Sequence, residues 1–213
     1  MAIAFDASSS DWWTTWTTHT LSHTCSWSNR LLVVTILGNH NDVVTGVTYA
    51  GASMTRVSFV SNGSSDGIYM YYLLNPATGT NNIVATTSSS QTVLMQNASY
   101  TGVRQSSQPN VFNTWWYTTS TSLSTSVTTT DDNCWTIGIF RCNNNQTANW
   151  WTTFRAGIAN SIQVGDSNWP KTPAGSTSLG TSWTWSTFAA QIIASFSPFV
   201  ASNTNPAFFL NLL

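Results

Sequence analysis

Clusters of turn-forming residues recur along this chain at short intervals: 39–42, 62–66, 75–82, 108–110, 143–145, 167–175 and 198–206. Asn, Asp, Gly and Pro in such clusters supply the positive or fixed φ angles that reverse a chain. The stretches between them are dominated by Thr, Ser, Val, Ile, Trp and Tyr, which suit the pleated, half-buried surface of a strand. Short strands between regular turns mark an antiparallel sandwich or barrel. A helical bundle would need Glu, Lys, Ala and Leu. Here all seven acids are Asp, and Lys171 is the only lysine.

The hydrophobic pattern sharpens this. In residues 121–127, Leu123 and Val127 share one face while Ser122, Ser124 and Ser126 share the other, as in a strand with one wet side. Phe188, Ala190, Ile192, Ala194 and Phe196 share a face in 187–196, and Val57 and Phe59 in 53–61. Segments 31–37 and 68–74 are apolar on both faces. An antiparallel sheet normally leaves one face in water. These two strands are therefore predicted to be central and covered twice, by the second sheet and by a long loop, a terminal arm or a neighbouring subunit.

The predicted strands are 3–5, 17–24, 30–37, 43–49, 53–61, 68–74, 83–87, 93–101, 123–129 and 135–141, with more near 162–165 and 187–196. Residues 103–119 and 143–150 read as loops. The expected fold is all-β: an antiparallel two-sheet β-sandwich with jelly-roll character, one domain over 1–197, then an extended apolar arm over 198–213. Trp12-Trp13-Thr14-Thr15-Trp16 echoes Trp150-Trp151-Thr152-Thr153-Phe154, too short a match to predict a repeat architecture.

Several functions are disfavoured. A net charge of −1 with 6 basic residues cannot neutralise a phosphate backbone, so no nucleic acid is expected. No stretch approaches the roughly 18 apolar residues of a membrane span. Residues 1–11 lack the basic and apolar regions of a secretory signal, which predicts a chain made in the cytoplasm without one. Cys25, Cys134 and Cys142 are an odd set, predicted to be buried free thiols. His19 and His23 would chelate a metal on a helix, but in a strand their Cα atoms lie roughly 13 Å apart. Glycoside hydrolysis needs two carboxylates flanking one bond. The Asp residues fall mostly in turns, and the adjacent Asp131 and Asp132 face opposite ways in an extended chain. No serine sits in a G-x-S-x-G elbow. No catalytic residue, cofactor or metal is expected.

A series of motifs remains: T-L-S-H-T-C from Thr20, N-R-L-L-V-V from Asn29, V-T-G-V-T-Y-A-G from Val44, Met54-Thr55, Y-L-L-N-P-A-T-G-T-N-N-I-V from Tyr72, A-S-Y-T-G-V from Ala98 and D-N-C-W-T from Asp132. In these the chain resembles a widespread group of uncharacterised concanavalin-like, jelly-roll β-domains found in tailed-phage structural genes and bacterial surface proteins. The resemblance covers roughly residues 8–196. It implies a β-sandwich in a virion or extracellular setting and no catalytic residues.

The 12 Trp are the strongest compositional anomaly. Neighbours in a strand point to opposite faces, so at least one member of each doublet, Trp115-Trp116 and Trp150-Trp151, needs a partner outside the core. A subunit interface, packing within the chain and glycan stacking are the three readings. The doublets are expected at a subunit interface, with Phe208, Phe209, Leu210, Leu212 and Leu213 of the arm. Trp183 and Trp185, two residues apart, are the expected pair for glycan stacking. A near-neutral, hydroxyl-rich surface lacks the repulsion that keeps copies apart. The functional expectation is a non-enzymatic structural protein packed against copies of itself or other virion proteins, as capsid decoration or a tail-associated protein. The alternative is a glycan-binding adhesion module or a subunit of an extracellular filament.

Overall fold

Two strands much longer than the turn spacing predicts organise the molecule. In the computed structural model, residues 1–61, 63, 65–158 and 160–201 are described, with 116–118 described by their backbone alone. The described residues contain strands and no helix: β1 (Ala4–Ser10), β2 (Thr14–Cys25), β3 (Leu31–Asn39), β4 (Val44–Tyr49), β5 (Ala52–Ser53), β6 (Thr55–Ser61), β7 (Asp66–Leu74), β8 (Gly79–Thr101), β9 (Val111–Thr128), β10 (Trp135–Cys142), β11 (Thr147–Ala148), β12 (Thr153–Ile158), β13 (Ile162–Asp166) and β14 (Ser176–Phe196). They form two antiparallel sheets, β1–β8 in one and β9–β14 in the other. The protein is an all-β, two-sheet sandwich, each sheet built from one half of the chain.

Strand alternation divides the apolar residues between two cores. Leu31, Val33 and Leu37 of β3 and Ile68 and Met70 of β7 face the second sheet, where Ile137, Ile139, Ile192 and Ala194 meet them. Leu32, Val34 and Ile36 point the other way and join Tyr69, Tyr71, Val44, Val47, Ile83 and Ala85 in a second cluster. The second cover predicted for 31–37 and 68–74 thus comes from the same sheet, folded back on itself.

Bulges in the long strands allow the fold-back. In β8, residues 87–90 stand opposite Thr17 alone. In β14, residues 183–186 stand opposite Thr121 alone. Such insertions bend a strand and raise its local twist. Beyond each bulge the N-terminal half of the long strand lies over the outer face of its own sheet. In the second half, Leu179 and Val127 pack on Phe140 and Ile193. The approach is close enough that a Cβ on Gly138 would sit 3.2 Å from Leu179 Cδ1.

The halves match in strand pairing and register, with β1 and β2 together standing in the place of β9 and β5 without a counterpart. Pairing Thr14↔Val93 in the first recurs as Thr118↔Ala189 in the second. Ser8↔Ala98 recurs as Phe112↔Ala194, and Leu37↔Leu94 as Arg141↔Ala190. Leu37↔Ile68 recurs as Arg141↔Ile162. Even the small bulge after Arg56 in β6 recurs after Phe154 in β12. The chain is therefore a tandem structural duplication around one shared core. The echo between Trp12 and Trp150 is not part of it. Trp12 corresponds to Trp116, whereas Trp150 and Trp151 occupy a turn between β11 and β12.

Other boundaries differ from expectation. The predicted loop 103–119 contains the start of β9, which pairs on one side only, with β14; an edge strand with a free side needs no clean alternation. Residues 83–87 and 93–101 belong to one strand, and β12 had no sequence signal. The chain stays docked past residue 197: Phe199 N–H donates to Gly102 O at 2.7 Å, and the Met1 amine donates to Phe199 O at 3.0 Å. Phe208, Phe209, Leu210, Leu212 and Leu213 lie outside the described residues.

Candidate functional site

Both bulges lie at the same end of the sandwich, where β3 and β10 finish and β7 and β13 begin. Trp16 pairs with Gln91 beside the β8 bulge. Trp13 lines a shallow hollow with Gly38, Asn39, Ser65, Asp66 and Gln91. In the second half, Trp185 projects from the β14 bulge and lines a hollow with Asn143, Asn144, Asn145 and Asn160. Asn144 Nδ2 donates to Trp185 O at 3.3 Å. A polar chain links the two hollows. Arg141 Nη2 donates to Asp66 Oδ2 at 2.6 Å and also to Asn143 Oδ1. Trp12, Trp13, Trp16, Trp115, Trp185 and Phe188 are all exposed, so both halves contribute aromatic surface to this end.

Trp115 is exposed on the edge strand β9, at the position of Asp11 in the first half; the Trp116 side chain lies outside the described residues. Trp150 and Trp151 are exposed in their turn. Trp183 and Trp185 do not make the expected stacking pair. Trp183 is 7% exposed and Trp185 is 74% exposed. The bulge breaks the period of two, so residues two apart do not share a face. Trp183 packs with Leu123, Cys142 and Ala189, and its indole N–H donates to Ser120 O at 2.8 Å.

The acids are held by the fold. Asp6 accepts from Ser26 N–H and Ser99 Oγ, and Asp11 from Met95 N–H. Asp42, Asp66, Asp131 and Asp166 form ion pairs with Arg56, Arg141, Arg104 and Arg155. Asp132 accepts from Ala174 N–H. Asp131 and Asp132 therefore spend their oxygens on the chain itself. His19 and His23 are buried, with Nδ1 on Thr14 and Ser9 hydroxyls respectively, each at 2.8 Å. Burial pushes the His23 imidazole down to about 4, against a smaller upward pull from Asp6, and lowers His19 as well. Cys25, Cys134 and Cys142 are buried free thiols, and burial pushes Cys142 up to about 11. Among the described residues no group of three or more His, Cys, Asp or Glu is placed to hold a metal. The described residues contain no helix long and apolar enough to cross a membrane.

What the sequence reading missed is the convergence of Trp12, Trp13 and Trp16 with Trp185 at one end. The Trp content was visible; the bulges that bring these segments together had no distinct signal. No family model, curated protein or solved structure matches the chain.

Proposed function

We propose that the chain is a non-enzymatic structural subunit that packs against copies of itself through its aromatic bulge end. Of the two settings the sequence resemblance implies, virion and extracellular, the proposed one is a tailed-phage virion, as capsid decoration or a tail-associated protein. One observation carries the reading: nine of the 11 Trp whose side chains are described are exposed, five of them (Trp12, Trp13, Trp16, Trp115 and Trp185) toward the bulge end, in a chain of which only 6% of residues are charged. Contiguous exposed apolar surface marks interaction sites, and Trp is enriched among interface hot spots. Each aromatic side chain can bury about 150 Å² or more. Five indoles alone would thus supply about 750 Å², close to the roughly 800 Å² per partner of a stable interface. The engagement of every Asp in holding the fold supports a non-enzymatic role.

Sedimentation velocity of the purified chain tests this. Association should rise with protein concentration and change little between about 0.1 M and about 1 M NaCl, because few charges contribute. The double variant Trp13→Ser, Trp185→Ser should fold normally and weaken association at least about 30-fold, the loss of a single hot spot. A chain that stays monomeric at millimolar concentration, or that dissociates on adding salt, contradicts the reading.

A further inference from the structure

The duplicated halves depart from each other in length in four of their connections, and two of these border one groove. The first lies ahead of β6 and β12. Val47 and Thr55 correspond to Ala148 and Thr153 by their pairings, so seven residues (48–54) in the first half match four (149–152) in the second. In the first half this segment forms the β4–β5 hairpin, turning at Ala50 and Gly51, whose φ values of 49° and 80° suit a tight hairpin reversal. The hairpin covers the start of β8: Ala50 N–H donates to Asn82 O at 3.1 Å and Tyr49 Oη to Gly79 O at 3.0 Å. The corresponding floor, residues 175–178, has no such cover.

The second departure is an insertion. Tyr72 corresponds to Asp166, each paired with the matching residue of the neighbouring strand (Val33 and Ile137). Asn75 corresponds to Lys171, since their N–H groups donate to Arg30 O and Cys134 O. Two residues lie between in the first half and four, 167–170, in the second. The longer segment carries Trp169. Between the shortened turn and the lengthened one lies a groove of about 370 Å³, lined by Trp151, Trp169, Lys171, Ser176, Thr177 and Ser178 among others. Trp151 is 68% exposed and Trp169 is 66% exposed.

The charge inventory singles out Lys171. Four of the six bases form ion pairs. Arg30 donates to Trp27 O, Pro76 O and Asn75 Oδ1. Among the described residues, Lys171 alone has a charged group with neither a hydrogen bond nor an ion pair. At the corresponding place in the first half, Asn75 is bound by Arg30; in the second, Cys134 takes the place of the arginine and the lysine ammonium is free.

We propose that this groove binds a carboxylated glycan. Sugar rings present flat C–H faces that suit the electron-rich face of an indole, and Trp151 and Trp169 offer two. Lys171 takes the carboxylate in a charge-assisted hydrogen bond, and the Ser176–Thr177–Ser178 row meets ring hydroxyls. A neutral sugar would leave the lysine unpaired. A phosphate would call for a cluster of bases or backbone N–H groups and would use neither indole. The assignment moves Trp151 from the packing surface to the groove and leaves Trp150 at the turn tip.

The test is titration of the full chain, followed by tryptophan fluorescence and calorimetry, with three carboxylated probes: oligogalacturonate, oligoalginate and oligosialate. The methyl ester of the galacturonate oligomer is the neutral control. At least one carboxylated probe should bind at least tenfold tighter than the neutral ester. Trp169→Ala should weaken that binding at least tenfold. Lys171→Gln should weaken it similarly and abolish the preference over the ester. Both variants should melt and self-associate as the native chain does, which separates failure here from failure of the packing interface. The proposal is overturned if none of the three acids binds, if the ester binds as tightly, or if both variants bind like the native chain.

Discussion

The two halves carry one topology in one register, yet they use it differently. Behind its sheet the first half encloses a cluster of 14 buried residues, closed by the β4–β5 hairpin. The fold-back of the second half encloses two clusters of four. The first half sets His19 and His23 where the second has Leu123 and Val127, by the matched pairings of β2 and β9. The second has Trp115 at the position of Asp11. The strand framework thus determines where residues point, and its turns and bulges decide what each half offers to the outside. The first half engages each of its charged side chains in hydrogen bonds or ion pairs, and the second leaves a groove and a free cation open.

The largest expected effect separates two matched positions. Asp166 is fully buried. It accepts from Arg155 Nε at 2.7 Å and from Tyr100 Oη at 2.9 Å, across the shared core. Arg155 also stacks over the Phe5 ring, 4.5 Å from its centroid. Its first-half counterpart, Tyr72, meets the Phe196 ring edge-on and makes one neutral side-chain hydrogen bond, from its hydroxyl to Gln108 O. Asp166→Ala strands a guanidinium and should cost about 3–5 kcal/mol, whereas Tyr72→Phe should cost about 1 kcal/mol. Unfolding midpoints in urea measure both, and equal losses would break the contrast.

A smaller effect follows pH. His23 titrates at about 4 when folded, against 6.5 ordinarily. The unfolded chain therefore binds more protons between those values, and stability is full above pH 6.5 and falls as pH drops toward 4. The loss from His23 is at most about 3 kcal/mol. Asp11 works the other way: burial, outweighing the bond from Met95 N–H, raises its carboxyl to about 6, so protonation below pH 6 favours the fold. His23→Asn isolates the histidine. The variant should lose less stability than the native chain between pH 7 and pH 4.5, read as the change in Tm. An unchanged pH dependence would show that the acid sensitivity does not lie at His23.

The two-faced strands 31–37 and 68–74 were legible in the sequence because alternation directly reports which sides are dry. Their cover was not, because it comes from β2, β4 and the start of β8 in the same sheet, brought over by the bend in β8. Residues 87–90, Thr-Ser-Ser-Ser, look like a break between two strands. In the fold Thr87 Oγ1 donates to Ser89 O at 2.8 Å and the strand continues. The same blindness paired Trp183 with Trp185, both of which lie within a bulge. The duplication was hidden because matched positions hold unlike residues, Arg30 with Cys134 and His23 with Val127. What survives is local: Ala98-Ser99-Tyr100 against Ala194-Ser195-Phe196, and positive φ at both Asn29 and Asn133. The groove draws Trp151, Trp169 and Ser176 from three separate turns and strands, which no linear pattern joins.

The central claim is that two equivalent halves share one core and stand or fall together. Native-state hydrogen exchange at low denaturant reads this directly. Amides of Val33 and Ala98 in the first half and of Ile139 and Ile192 in the second should exchange last, at one common rate set by global unfolding. Exchange of Ile139 and Ile192 through an opening that leaves Val33 and Ala98 protected would contradict it.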